Sequence, residues 1–404
     1  MKKKLEFMAD RIEAVLSLHK VPARVTGGTV TPRWIRFQVL PAIGAKISKI
    51  KNLSEELAAA LDAPNCRVSR RGAAVAVEVP RDDPQPVRLL PLYDQLTENN
   101  EERRIETRDS PSSPIPPTTA ILGLAEDGAP LLIRLPSPDV AHILVAGTTG
   151  SGKTVLLQAM ILSLAMSNSP PSNGRGEREL SLMLIDPKGH AFGLFEGLPH
   201  LARPVIREAE EASEALSSLV YLMKKRGSGN GNSSRAKGQP HVVVVIDELA
   251  ELVSGNLRHV VKALKTLTHA GHELGIHIVA ATDKAEVFAG FQHNDDTLLT
   301  NIIEECNFPV RLVGRMDADG ARAVTGWSGI GAERLMGRGD FLAVAEGRVI
   351  RFQVAHVSPD EIQKVVIRLA RDEIMLAGAF TPAAPRFSLP WPVNRLAEQY
   401  AGRV

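Results

Sequence analysis

The segment from Gly147 to Thr154 constrains the fold of this chain more than any other part of its sequence. It reads GTTGSGKT and fits the pattern G-x-x-x-x-G-K-[ST], with the apolar run HILVA before it and a helical run from Val155 after it. Glycines at this spacing allow the backbone to wrap around a phosphate chain, and the positive end of the following helix faces the same anion. A chance match in a glycine-rich turn would not require a strand before it and a helix after it. Because both are present, the order of strand, loop and helix predicts a P-loop nucleotide site.

The P-loop pattern gives each residue of this segment an expected role. Lys153 is predicted to contact the β- and γ-phosphates of ATP and is a candidate catalytic residue, while the hydroxyl of Thr154 is predicted to bind Mg²⁺. The predicted nucleotide-binding residues are Gly147, Thr148, Thr149, Gly150, Ser151, Gly152, Lys153, Thr154 and Val155.

A second apolar run, HVVVVI, ends in Asp247 and Glu248. Asp247 is predicted to complete the Mg²⁺ shell, and Glu248 is predicted to polarise the attacking water. An acidic pair after a strand also serves as a helix N-cap, but its position downstream of a P-loop favours the catalytic interpretation. Two further strand ends stay open between a phosphate-sensing role and simple turn formation, namely Thr282-Asp283 and 186–188 (DPK). The scattered histidines are interpreted as solvated or core residues, although His269 and His272 share a predicted helix face.

The length of 404 residues predicts more than one domain. Short apolar runs such as LSLMLID and IHIVAAT alternate with helical stretches, which is typical of buried parallel strands. We therefore predict an α/β P-loop domain with a mainly parallel sheet, preceded by a small α+β accessory domain. The predicted divisions are 1–96 for the accessory domain, 97–118 for a polar Pro/Ser-rich linker, 119–380 for the P-loop domain, and 381–404 for a Pro-rich tail. Two loops inside the P-loop domain, 167–179 and 226–240, are too rich in Gly, Ser and Pro to pack.

Composition narrows the functional classes. The net charge of +2 neither requires nor excludes nucleic acid as a partner. Cys66 and Cys306 have no ligand-spaced neighbours, so they suit a reducing cytoplasm and argue against a zinc site or a disulfide framework. No apolar run reaches the roughly 20 residues that span a bilayer, so no membrane insertion is expected.

The motifs of this sequence resemble those of the FtsK/SpoIIIE-type DNA translocases. The matching text includes HILVAGTTGSGKT, LIDPKGH, GLPHLARPV, VVVVIDELAEL, GIHIVAAT, NFPVR and GAERLMGRGDFL, in the family's order, and the first 95 residues resemble its small accessory domain. The resemblance implies a RecA-like P-loop ATPase that forms a hexameric ring around double-stranded DNA and moves along it with ATP and Mg²⁺. It also implies that an arginine acts in trans on a neighbouring subunit, either Arg311 of NFPVR or the nearby Arg315 or Arg322.

Four departures from the family pattern stand out. Asp283 replaces the usual glutamine, the segment 286–306 is altered and acidic, no membrane segment is seen, and no winged-helix domain is recognisable after residue 380. Two other functions stay open beside a cytoplasmic translocase: a conjugation or DNA-packaging motor that delivers DNA to a channel, and a nucleotide-dependent DNA-binding assembly protein with little hydrolysis. The Pro-rich tail is a candidate site for a protein partner.

Overall fold

The computed structural model describes residues 2–378, except for 73, 107–114, 169–178, 229–238, 256 and 284–305. Most of the two predicted loops, nearly all of the acidic segment 286–306, and the whole Pro-rich tail 381–404 lie outside the described residues. Within the described part of the chain, no helix combines the length and the apolar character needed to cross a bilayer.

The N-terminal unit is a four-stranded antiparallel sheet covered by helices. Its first helix buries Met8, Ile12 and Leu16 because apolar residues at this spacing share one helical face. The strands pair in the order β1-β2-β4-β3. The elements are α1 (Lys2–Leu18), β1 (Ala23–Val30), β2 (Trp34–Pro41), α2 (Ile47–Asn52), α3 (Ser54–Ala60), β3 (Arg67–Arg71) and β4 (Ala74–Pro80).

The second unit is built on a nine-stranded sheet. Its strands are β5 (Thr119–Ala125), β6 (Pro130–Arg134), β7 (Ile143–Ala146), β8 (Leu180–Ile185), β9 (His241–Ile246), β10 (Ile276–Thr282), β11 (Val310–Val313), β12 (Asp340–Ala345) and β13 (Arg348–Val354). Its helices are α4 (Leu89–Glu106), α5 (Lys153–Ser167), α6 (Ala209–Gly227), α7 (Leu249–Gly255), α8 (Leu257–Ala270), α9 (Ala318–Thr325) and α10 (Pro359–Gly378).

The large sheet is mixed rather than mainly parallel. Its order is β6-β5-β13-β12-β11-β7-β10-β9-β8, and β11, β7, β10, β9 and β8 pair in parallel. The strands from β12 to β6 continue the sheet with antiparallel pairs. The α/β class is confirmed, but the antiparallel half was not predicted. Two of its strands, β6 and β13, are partly exposed and so lack the continuous apolar runs that mark the buried parallel strands.

Helices cover both faces of the parallel strands. Along β7, Ile143 and Val145 pack on one side with α5 and α10, whereas Leu144 and Ala146 pack on the other with α6 and α8. This double burial explains why the run is apolar at every position. It also fixes the ends of the parallel strands between two rigid helical layers, which is where the predicted site lies.

The region predicted as a linker begins as a helix. Helix α4 runs to Glu106, so the first ten residues of the predicted linker 97–118 are helical. The stretch TENNEERRIE has no glycine or proline, and Glu and Arg are good helix formers. The first proline of the predicted linker is Pro111. The start of α4 packs in the core of the second unit through Leu89 and Leu92, so this helix lies with the second unit, whereas its residues up to 96 were predicted in the accessory domain 1–96.

Candidate functional site

The predicted P-loop lies between β7 and α5, at the carboxyl edge of the parallel strands. Gly150 and Gly152 have φ values of +82° and +107°, which residues with a Cβ rarely adopt. A Cβ added to Gly152 would lie 2.7 Å from the amide nitrogen of Gly339. The conformation of the loop therefore depends on both glycines. Val155 follows in the first turn of α5, where it packs against the core.

A turn formed by residues 336–339 supports the P-loop from behind. The amide of Arg338 donates to the carbonyl of Gly150 at 3.0 Å, and the amide of Gly339 donates to the carbonyl of Ser151 at 2.6 Å. On the other side, the amide and the hydroxyl of Thr148 both donate to the carbonyl of Arg315 at 2.9 Å. The two bonds from the 336–339 turn use carbonyls of the loop and therefore occupy no loop amide that a phosphate would need, whereas the bond to Arg315 does occupy the amide of Thr148.

The Lys153 side chain folds over the loop, and its Nζ donates to the carbonyl of Gly147 at 2.8 Å. Burial lowers the pKa of Lys153, and the carboxylates of Asp283, Glu248 and Asp247 oppose that shift. A partly buried amine surrounded by carboxylates is well placed to contact an anionic phosphate chain.

Asp247 follows β9 and meets the start of α5. Its Oδ1 accepts a hydrogen bond of 3.5 Å from the Thr154 hydroxyl. Burial, followed by the charges of Asp186 and Glu248, raises the pKa of Asp247 to about 6. A hydroxyl beside crowded carboxylates is a donor set that suits Mg²⁺, which relieves their repulsion. Within the described residues no group of three or more His, Cys, Asp or Glu side chains suits a metal, so nucleotide phosphates and water would supply the other ligands.

Glu248 is buried and held in a strained backbone conformation at φ +66°. Its Oε1 accepts hydrogen bonds from the Thr282 hydroxyl at 3.0 Å and from the Asp283 amide at 3.2 Å. Its Oε2 lies 3.4 Å from Nζ of Lys188. Three neighbouring strand ends thus orient one carboxylate, which is the arrangement that a water-positioning base requires.

The structure separates the roles within the segment 186–188. Asp186 is buried and accepts hydrogen bonds from the amides of Gly189, Ala191 and Phe192, so it forms the turn after β8. Lys188 instead reaches Glu248 and Glu251. Burial alone would lower the pKa of Lys188, but the nearby carboxylates, Glu248 first among them, raise it.

Thr282 and Asp283 differ in a similar way. The side chain of Thr282 is buried, and its hydroxyl donates to Glu248, while its carbonyl accepts from the amide of Gly147 at 3.3 Å. The side chain of Asp283 instead meets the loop, because its Oδ2 accepts from the Thr149 hydroxyl at 3.4 Å. An acid therefore lies beside the predicted phosphate site, as the departure from the family pattern suggested.

Arg311 lies on β11, away from the P-loop of its own subunit. Its Nη1 donates to the carbonyl of Thr325 at 3.2 Å, and burial lowers its pKa. It lines a cavity of about 490 Å³ together with residues of α8, of α9 and its C-terminal end, and of the segment before β11, and no P-loop residue lines that cavity. The side chain of Arg315 is exposed beside the loop that its carbonyl holds, and Arg322 is exposed on α9.

One group of residues was missed by sequence reasoning. His142, His241 and His277 are buried together at the opposite edge of the sheet, near His272. Nδ1 of His241 lies 2.9 Å from Nε2 of His277, and Nδ1 of His142 accepts from the amide of Ile278. The core interpretation is confirmed for these histidines. However, α8 ends at Ala270, so His269 and His272 do not share a helix.

Comparison with known proteins identifies two matched regions. Residues 114–229 match the FtsK/SpoIIIE family, and residues 1–81 match the FtsK alpha domain. The first region includes the whole P-loop, and the second coincides with the N-terminal sheet and its helices.

Among similar proteins, the DNA translocase FtsK of Bacillus anthracis is 31% identical over 385 residues, which are 89% of this chain and 44% of that protein. The DNA translocase SpoIIIE of Bacillus subtilis (strain 168) is 29% identical over 391 residues, or 90% of this chain and 45% of that protein. The chain thus spans less than half the length of these relatives.

The fold of this chain matches that of a solved structure over most of the length of both. The conjugation coupling protein TcpA of pCW3, described as a monomer form with ATPγS, superposes with a TM-score of 0.53 at 21% identity, covering 89% of this chain and 99% of that one. At this identity the likeness concerns the fold alone. The matched regions, the relatives and the geometry of the P-loop together place this chain in the FtsK/SpoIIIE family.

Proposed function

We propose that this protein is a Mg²⁺-dependent ATPase that moves along double-stranded DNA. The observation that carries the proposal is the meeting of Lys153, Thr154, Asp247 and Glu248 at one sheet edge. The similarity to proteins named DNA translocases supports duplex DNA as the substrate on which this ATPase acts.

The residues of the site divide the work of hydrolysis. The loop amides and Lys153 bind the phosphates of ATP, and the negative charges are thereby compensated as they build up. Thr154 and Asp247 would hold Mg²⁺, which supplies further charge compensation on the phosphates. Glu248 accepts a hydrogen bond from the attacking water, and Thr282 with the Asp283 amide keeps its carboxylate in place.

We further propose that the motor works as a ring, of six subunits as in the family resemblance, that encloses the DNA. Arg311 does not reach the P-loop of its own subunit, so any part it plays in hydrolysis is on a neighbour's site. Arg315 and Arg322 are the alternatives. An arginine supplied in trans stabilises the charge of the transition state and makes turnover depend on assembly.

The proposed location is the cytoplasm, where ATP and duplex DNA occur together. Cys66 and Cys306 are buried thiols, in keeping with a reducing compartment. The Pro-rich segment 381–404 is proposed as a site for a protein partner.

Steady-state ATPase activity tests the proposal when it is measured with and without long duplex DNA over a series of protein concentrations. Strong DNA stimulation that rises steeply with protein concentration is expected for a ring motor. Hydrolysis that ignores DNA would contradict the motor and favour a nucleotide-dependent assembly protein. Glu248→Gln serves as the matched variant, since it preserves the side-chain shape and should bind ATP but turn it over about 10²- to 10⁴-fold more slowly.

A conjugation or packaging motor would also respond to DNA. Such a motor needs a partner channel to complete its work, whereas a translocase needs only duplex DNA. Movement on naked DNA by the isolated protein therefore separates the two functions.

A further inference from the structure

The N-terminal unit touches the turn that supports the P-loop. Nη1 of Arg33, in the connection between β1 and β2, lies 3.0 Å from the carbonyl of Arg338 and 3.4 Å from that of Gly337. It also lies 2.8 Å from Oε1 of Gln353. One guanidinium of the accessory unit therefore binds two backbone carbonyls and a side chain of the motor.

The same turn is bonded to the P-loop through its amides. Arg338 donates to Gly150 and Gly339 donates to Ser151. The backbone carbonyl of Arg338 thus accepts from the N-terminal unit, whereas its backbone amide donates to the P-loop. The turn and the P-loop are closely packed, because a Cβ on Gly152 would lie 2.7 Å from the Gly339 amide. A displacement of the turn therefore also displaces the loop.

Arg33 is itself fixed to the N-terminal sheet. Its carbonyl accepts from the amide of Arg81, which follows β4, at 2.9 Å. The preceding carbonyl, of Pro32, accepts from the amide of Gln85 at 2.8 Å. The backbone of this connection cannot shift independently, so movement of the N-terminal sheet carries Arg33 with it.

A buried ionic cluster joins the two units beside Arg33. Arg351 of β13 makes two hydrogen bonds of 2.8 and 2.7 Å to Asp340, which also accepts from the amide of Met336 at 2.9 Å. Nη1 of Arg351 lies 3.6 Å from Glu78 of β4, and its guanidinium lies 5.0 Å from the centre of the Trp34 ring. The cluster holds the turn from its other end.

This junction is polar rather than apolar. It encloses a cavity of about 30 Å³ bounded by Arg33, Trp34, Asp340 and Arg351, which has room for a water molecule. Charged interfaces of this kind permit relative motion of domains more readily than large apolar ones. The two units are therefore joined strongly enough to transmit a shift, yet not fused into one core.

We propose that Arg33 is a positioning residue that links the seating of the N-terminal unit to the shape of the P-loop. The inference rests on the proposed binding of ATP at that loop. Because coupling between two equilibria is reciprocal, nucleotide in the loop secures the N-terminal unit, and a displaced N-terminal unit weakens nucleotide binding. The accessory unit thus regulates the nucleotide site of its own subunit.

The test is the dissociation constant of a fluorescent non-hydrolysable ATP analogue with Mg²⁺, measured on the full chain. Arg33→Ala is expected to raise this constant by about 5- to 30-fold, within the usual range of coupling between sites. Arg33→Lys, which retains the charge but loses the planar fork, is expected to fall between Arg33→Ala and the unaltered protein. Arg67→Ala is the matched control, because Arg67 also bridges the units but does so through Glu126 rather than through the 336–339 turn.

A second measurement reports on the opposite direction of the coupling. The analogue should slow amide hydrogen exchange in residues 31–37 of the unaltered protein and of Arg67→Ala, but not of Arg33→Ala. A merely structural role for Arg33 would not remove this nucleotide dependence while leaving a folded protein.

The outcomes are distinct. If the unaltered protein does not bind the analogue, the proposed nucleotide function fails and the coupling fails with it. If the unaltered protein binds and the Arg33 variants match Arg67→Ala, the coupling alone is overturned. If Arg33→Ala does not fold, the constant measured for Arg33→Lys decides between the same two results.

Discussion

Replacing Thr282 by valine tests whether Glu248 depends on its neighbours for catalysis. The change keeps the shape of a fully buried side chain and removes the hydroxyl that donates to Oε1 of Glu248 at 3.0 Å. The Asp283 amide and Lys188 remain, so Glu248 should stay in the site but lose its fixed direction.

The expected size of the effect follows from the kind of bond. A hydrogen bond to a charged group contributes about 1.5–3 kcal/mol. At about 1.36 kcal/mol for each tenfold change in rate, the loss corresponds to a decrease in kcat of roughly 10- to 150-fold. The dissociation constant for ATP should change by less than about threefold, because the lost hydroxyl bonds to Glu248 and the bond from the Gly147 amide to the Thr282 carbonyl is kept.

The assay is DNA-stimulated ATP hydrolysis under saturating ATP, with nucleotide binding measured separately by titration. Thr268→Val is the control, since it also removes a buried hydroxyl, one that donates to Leu264 within α8 and accepts from the amide of Asn307 rather than bonding to Glu248. An unchanged kcat for Thr282→Val would refute the positioning of Glu248 by this bond. Weaker ATP binding with an unchanged kcat would place Thr282 at the phosphates instead.

Three further predictions concern the same molecule. Lys153→Ala should abolish measurable ATP binding by calorimetry, because the phosphates lose their cation; near-normal hydrolysis would contradict the site assignment. Asp283→Asn should tighten ATP binding by about 5- to 30-fold, since charges some 10 Å apart interact by roughly 1–2 kcal/mol at an intermediate dielectric; ADP, with less charge, should gain less, and equal gains would refute the repulsion. Burial lowers the pKa of His142 to about 3 and that of His277 well below 6.5. Below a pH of about 6.5, these histidines therefore bind protons in the unfolded chain but stay neutral in the folded protein, so the free energy of unfolding decreases as the pH falls. Urea unfolding at pH 5.5 should therefore give about 2 kcal/mol less stability than at pH 7.5, with proton uptake by Asp247 offsetting part of the loss; equal stability would show that these histidines are not held neutral.

The parts of the site that sequence reasoning reached are those encoded locally. The P-loop is specified by residues that are neighbours in the chain: Gly150 and Gly152 adopt positive φ values, and Lys153 folds back onto the carbonyl of Gly147. Asp247 and Glu248 are distant from the loop in sequence, but the buried strand before them predicts the sheet edge where they lie. Parallel strands bring their carboxyl ends together, so the strand pattern was sufficient.

The parts that escaped prediction depend on contacts between distant segments. The 336–339 turn supports the P-loop through backbone amides, which carry no sequence signature. Arg33 gains its place from the packing of one unit on the other. The buried histidines had a faint signal, because β7 and β9 each begin at or beside a histidine and β10 has one at its second position, but only the parallel register brings His142, His241 and His277 together.

The most direct test of the account is displacement of a DNA triplex by the purified chain. A third strand bound near one end of a long duplex is released when a motor moves through it, and the release is followed by fluorescence. The account predicts release that needs hydrolysable ATP and Mg²⁺, is delayed as the distance to the triplex grows, and is absent for Glu248→Gln. ATP hydrolysis without any release of the third strand would contradict the claim that this ATPase moves along DNA.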